Sequence, residues 1–404
     1  MPNLQAKQLL HNKDFLFLWI AQMFCQLADR VFTYILMIIA YEYFHSNLGT
    51  SMPMLTFAIP AILFSAFFGV FVDRWKKKPI LFLANLLRAL LLMLIPILNL
   101  HPQVSSVLLV AFLVFTVAQI FAPAESTAIP GIVRQDQLVL ANALFMGVWM
   151  GASVFGFGLG VLVIQFFRLS DLYWAAALLY IFAALSILKM HIHEPTRHVE
   201  RHPFNSIINE LTDGIKFIWQ HHIVYVAFFM LFMAIAGLAA ISVLAVAYAQ
   251  EILKISGRNF GLLVTFAGVG MVLGILWVEK IEKLIKKKYF LIESGFVVCG
   301  ASLIGIALAK DVFWASFAIF ILGFGNSFIA APIQAFLQGF IPANMRGRVF
   351  GVQNMVVSLA FTFPAVVAGY LADIFTVPTV FLGLGILILG IGLTARLVPD
   401  FKKI

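Results

Sequence analysis

The chain has 404 residues, 62% of them hydrophobic and only 11% charged, with a formal net charge of +9. Soluble domains carry about 25% charged residues and their single cores stop growing near about 250–300 residues, so a soluble fold cannot hide this much apolar surface. The hydrophobicity excludes disorder, and a count of two cysteines, Cys25 and Cys299, excludes a disulfide scaffold, which leaves a polytopic membrane protein.

A spanning helix needs ~20 apolar residues. In chain order such runs fall at 15–43, 51–72, 80–100, 105–129, 139–166 and 171–190, then at 223–249, 260–278, 289–309, 313–333, 350–373 and 378–397. The runs exceed strand length and do not alternate polar with apolar residues, so they read as helices and not as barrel strands. The expected fold is an all-α membrane protein with twelve transmembrane helices. Residues 1–14 are polar with two lysines, and the first apolar run is too long for a cleavable leader, so it reads as a retained span.

Placing the N-terminus in the cytoplasm puts twenty-one of the 27 Lys and Arg residues on the inner side. Only Arg168, Lys254, Arg258 and Lys310 fall outside, while Arg30 and Arg88 fall inside spans. This bias obeys the positive-inside rule, with both termini in the cytoplasm and the chain in the cytoplasmic membrane. The basic character is therefore topological, and no nucleic-acid partner is expected.

The longest polar stretch lies midway. It divides the chain into an N-terminal six-helix bundle, 1–190, a cytoplasmic linker, 191–222, and a C-terminal six-helix bundle, 223–404. The linker holds "HEPTRHVERHPF" and then an amphipathic piece from Asn205 to Gln220. Its histidines lack tetrahedral spacing with cysteines and read as a solvated loop, so no metal site is expected. A weak repeat relates "APAESTAIPGIVRQDQLVLANAL" to "APIQAFLQGFIPANMRGRVFGVQN". Parallel halves of six spans are the arrangement of the major facilitator transporters.

The loop after the second span, "GVFVDRWKKKP", makes that resemblance specific. It is similar to the major facilitator signature Gly-x-x-x-Asp-Arg-x-x-Arg/Lys-Arg/Lys at Gly69, Asp73, Arg74, Lys77 and Lys78, with Lys76 in place of the usual glycine. Within the superfamily, the two repeat segments resemble the drug-exporter branch that includes macrolide efflux pumps and the enterobactin exporter, and more loosely the lysophospholipid transporter. The resemblance implies that this loop latches the two halves. Asp73 would meet a helix N-terminus, and Arg74 or Lys77 would pair with Glu125. Pure topology, a basic loop that keeps itself inside, is the plainer alternative.

Buried polar residues are where transport chemistry is expected. Gln22, Gln26, Asp29 and Thr33 form one stripe of the first span, with Asp29 ~21 Å along it. A carboxylate there costs several kcal/mol unless it is paired or protonated. Asp29 reads as the coupling or substrate site, or else as half of an ion pair with Arg30 or Arg88. Arg88 itself reads as an intramembrane pair, as substrate or coupling chemistry, or as a side chain snorkelling to the inner face. Glycines crowd the fifth span at Gly147, Gly151, Gly156, Gly158 and Gly160, and the eleventh span offers Pro364 and Gly369. Such residues permit close packing and bending.

No phosphate-binding loop and no nucleophile–base constellation is present, so neither an ATP-driven pump nor an enzyme is expected. The expected activity is secondary export of an amphiphilic small molecule by alternating access, as a monomer in the lipid bilayer. No cofactor is expected, and the proton gradient supplies the drive by antiport. The rival readings are a lysophospholipid flippase and a siderophore or metal exporter.

Overall fold

The computed structural model describes residues 9, 11–100, 103–134, 137–166, 168–191, 204–284, 288–342 and 345–395, apart from some side chains within the helices. Among the described residues there is no strand. The helices are α1 (Lys13–Phe44), α2 (Asn47–Arg74), α3 (Lys77–Ile97), α4 (Val104–Ala128), α5 (Leu138–Phe166), α6 (Leu169–Leu188), α7 (Phe204–Gln220), α8 (His222–Ala247), α9 (Phe260–Leu284), α10 (Lys288–Leu308), α11 (Val312–Phe340), α12 (Arg346–Ile374) and α13 (Val377–Thr394).

Eleven helical segments among the described residues are long and apolar enough to cross a membrane. The expected span 139–166 coincides with α5, a helix of 29 residues. Large apolar side chains point outward from the helices: Leu63, Leu109, Phe313, Ile386, Leu387 and Leu393 are all more than half exposed. On spanning helices such residues form the lipid-facing surface, so the environment is a bilayer.

Contacts divide the chain into two units, Met1–Ile39 with Leu55–Arg201, and Ala40–Met54 with His202–Ile404. In the first, α3 packs on α4 and α6. In the second, α10 packs on α11 and α13, the same pattern seven helices later. The second unit also packs α9 on α11, and α12 on both α7 and α8. Backbones meet closely at the α9–α11 crossing, where a Cβ added to Gly274 would lie 2.7 Å from Phe324 O. Polar side chains tie the helices together. Asn326 Nδ2 donates to Ala234 O at 2.7 Å, and Tyr248 Oη donates to Ile306 O at 2.6 Å.

Two helices outrun their expected spans. α2 begins at Asn47, ahead of 51, because its polar first turn is held by capping groups that hydropathy does not register. α11 continues past 333 to Phe340 because Gln334 is accommodated, its Oε1 accepting from Gln353 Nε2 at 2.8 Å. His193, His198 and His202 of the linker lie outside the described residues, among which no group of metal-binding side chains occurs.

Candidate functional site

In the first unit, α1 carries Cys25 and Asp29 one turn apart on one face. α3 brings Arg88 to them, and its side chain is 1% exposed against 21% for Asp29. The Arg88 guanidinium uses its fork in two directions. Nη2 pairs with Asp29 Oδ1, and Nη1 donates to Cys25 Sγ at 2.9 Å. α6 supplies Tyr180, whose hydroxyl donates to Asp29 Oδ1 at 2.6 Å. The guanidinium carbon lies 4.3 Å from the Tyr180 ring centroid, within cation–π range. Three helices thus converge on one ion pair, which avoids leaving either charge alone inside a span.

Asp29 pairs with Arg88 of α3. The stem of its sequence neighbour Arg30 packs against Gly156 of α5. The snorkelling alternative for Arg88 is corrected, because the side chain is turned inward to Asp29. Thr33 Oγ1 donates to Asp29 O at 2.8 Å, so its hydroxyl is spent within the helix. Gln22 is buried, its Oε1 without a hydrogen-bond partner among the described residues, and Gln26 is half-buried.

The last turns of α2 carry Gly69, Asp73 and Arg74, and the side chains of Asp73 and Arg74 lie outside the described residues. Lys77 Nζ donates to Trp75 O at 2.9 Å and Lys78 Nζ to Leu188 O at 2.8 Å, the latter a cation at the end of α6. Of the partners expected for Glu125, Arg74 or Lys77, the Arg74 side chain is not among those described. Glu125 is half-buried on α4, and its Oε1 is sealed from solvent without a hydrogen-bond partner among the described residues.

Of the packing glycines, Gly160 allows close approach, since a Cβ there would lie 2.8 Å from Tyr34 Cδ1 of α1. Gly147 and Gly151 do not share in this. Nothing lies within 4 Å of a Cβ at Gly147, and Gly151 meets only Phe155 of its own helix. Pro364 sits inside the continuous α12.

A second cluster, in the second unit, escaped the sequence reading. The chain turns from α1 to α2 through His45, with φ 48°. Asp373, near the end of α12, then covers the start of α2. Its Oδ1 accepts from Asn47 N at 2.6 Å and Asn47 Nδ2 at 3.0 Å, and its Oδ2 accepts from Leu48 N at 3.0 Å. Ser46 Oγ accepts from Gly49 N at 3.0 Å, so the free donors of the first turn are met. Gly369 makes room, because a Cβ there would lie 2.6 Å from Asn47 O. Tyr41 Oη donates to Glu251 Oε1 at 2.9 Å, and Arg258 lies 3.7 Å from Glu42. Arg348 Nη1 donates to Asp213 Oδ2 at 2.8 Å, joining α12 to the linker helix α7. The sequence signal for Asp373 was slight, a carboxylate at the end of an apolar run.

Repeated helix packing and a charge pair enclosed by spans define a polytopic helical membrane protein of internally repeated design. The chain belongs to the Major Facilitator Superfamily, whose pattern matches residues 18–365. It is 22% identical over 377 residues to YfiS of Bacillus subtilis (strain 168), an uncharacterized MFS-type transporter, covering 89% of this chain and 86% of that one. It is 23% identical over 376 residues to the multidrug efflux pump Tap of Mycolicibacterium fortuitum, covering 89% of each. Among solved structures, a mutant of the nucleoside transporter NupG superposes with a TM-score of 0.77 at 11% identity, covering 94% of this chain and 99% of that one. The POT family transporter PepTSo gives 0.73 at 14%, covering 95% and 98%. These two likenesses concern the fold.

Proposed function

We propose that the chain exports an amphiphilic small molecule, of drug, macrolide or siderophore type, across the cytoplasmic membrane by alternating access, in exchange for protons. The observation that carries this reading is the Asp29–Arg88–Tyr180 cluster, because ionisable groups kept inside spans mark substrate or ion paths. Asp29, partly exposed, is the member open to a substrate, and Arg88 and Tyr180 position it. The likeness to Tap supports efflux. The signature loop, with Gly69, Asp73, Arg74, Lys77 and Lys78, serves as the inner latch, and the positive-inside bias supports cytoplasmic termini. Residues 1–190 and 223–404 act as the two bundles, joined by 191–222, in a monomer.

The test is transport in proteoliposomes under an imposed pH gradient, with ethidium and a macrolide as probes. Gradient-driven movement of either probe is expected. Movement that ignores the gradient, or none with either probe, overturns proton-coupled drug export. Gradient-independent movement of lysophospholipid would establish the flippase reading instead.

A further inference from the structure

We infer that the groove between α10 and α11 binds one zwitterionic phospholipid, an acyl chain along its floor and the headgroup at its mouth. The groove has a volume of about 670 Å³, inside the range of about 300–1,000 Å³ found for small-molecule sites. Val298, Ala301 and Gly305 of α10 line it together with Ala318 and Ile321 of α11. These side chains are small or apolar, and a Cβ added to Gly305 would lie 3.6 Å from Ala318 Cβ. The polar groups beneath the groove are already spent. Ser302 is buried and its Oγ donates to Val298 O at 2.7 Å. The Ile306 and Ala309 carbonyls accept from Tyr248 Oη at 2.6 and 3.3 Å. A ligand segment lying there must itself lack hydrogen-bonding groups, which describes an acyl chain and not a peptide or a sugar.

The mouth carries charge of both signs. Lys310 and Asp311 lie side by side in the turn between the two helices, and both are exposed. Lys310 makes no ion pair among the described residues, so its ammonium is open to a phosphate. Asp311 Oδ1 accepts from Trp314 N at 3.0 Å as the cap of α11, while its Oδ2 accepts no hydrogen bond among the described residues. A cation beside an anion is complementary to the phosphate and the ammonium of a zwitterionic headgroup, whereas an anionic headgroup would meet the Asp311 charge. Trp314, exposed at the same mouth, places an amphipathic ring at headgroup level. Leu308, Phe313 and Phe317 are all more than half exposed around the groove, so it is continuous with the lipid-facing surface and opens to the bilayer.

The test uses the full chain in detergent micelles, titrated with dioleoyl phosphatidylethanolamine or dioleoyl phosphatidylglycerol and read by native mass spectrometry. Expected for the wild type is one phosphatidylethanolamine adduct that survives collision energies which strip phosphatidylglycerol. Ala301→Phe sets a ring into the groove from an exposed position and is expected to weaken the adduct about tenfold or more. Lys310→Gln and Asp311→Asn, the latter keeping the cap, are each expected to weaken it about 2–5-fold. Asp311→Asn is also expected to raise phosphatidylglycerol retention toward that of phosphatidylethanolamine, a change that a merely structural role would not produce. Equal retention of the two lipids by the wild type, or an adduct indifferent to Ala301→Phe, overturns the inference. So does a lipid-free dimer, in which a second copy of the chain covers the groove. Should Ala301→Phe fail to fold, the charge variants decide, and an adduct unchanged in both overturns it.

Discussion

Replacing Asp29 with alanine leaves the Arg88 guanidinium in a site where it is 1% exposed, with the Cys25 sulfur and the Tyr180 ring as neighbours. Removing one partner of a buried pair costs about 3–5 kcal/mol, and Asp29→Ala is expected in that range. The reverse change is milder. In Arg88→Met the carboxylate keeps the Tyr180 hydrogen bond and its partial exposure, so the expected cost falls to about 1–3 kcal/mol. The double variant Asp29→Ala/Arg88→Met removes both charges, and its cost is expected to be smaller than the sum of the singles by about 1–3 kcal/mol. Equilibrium unfolding in mixed micelles measures all four corners of the cycle. Additive single effects, or an Asp29→Ala cost below about 1 kcal/mol, would refute the reasoning that the pair is a coupled, enclosed unit.

Four further outcomes rest on the packing and hydrogen bonds described above. Asp373→Ala frees the amides of Asn47 and Leu48 and is expected to cost about 0.5–2 kcal/mol, with faster hydrogen exchange at these two amides; unchanged exchange would refute the cap. Gly160→Ala forces a Cβ against the Tyr34 ring and is expected to lose about 1–3 kcal/mol in thermal unfolding. Gly147→Ala, with open space around it, is expected to be neutral or to gain up to about 1 kcal/mol in the same assay. Asp213→Asn breaks a pair whose side chains are both more than a third exposed, so its expected cost stays within about 0–1 kcal/mol and shrinks with added salt.

The spans were legible because membrane insertion depends on local apolar length, a property that needs no partner. Hence the expected run 105–129 falls on Val104–Ala128 and 80–100 begins close to Lys77–Ile97. Where a span end is polar, the same reasoning fails. The helix ends near Asn47 and Gln334 depend on Asp373 and Gln353, which neither end has beside it in the chain.

That Asp29 and Arg88 lie inside the bilayer, and that an isolated charge there is costly, can be read from the chain alone. The same reading left Arg30 and Arg88 equally available as partners. Packing brought Arg88 to Asp29, because α3 and α6 converge on the face of α1 that carries Cys25 and Asp29, and it set the stem of Arg30 against Gly156 of α5. The same holds for Glu125, whose place in the signature-loop scheme looked natural along the chain. Burial of one carboxylate oxygen is a property of the surrounding helices, and it is specified only once the chain has folded.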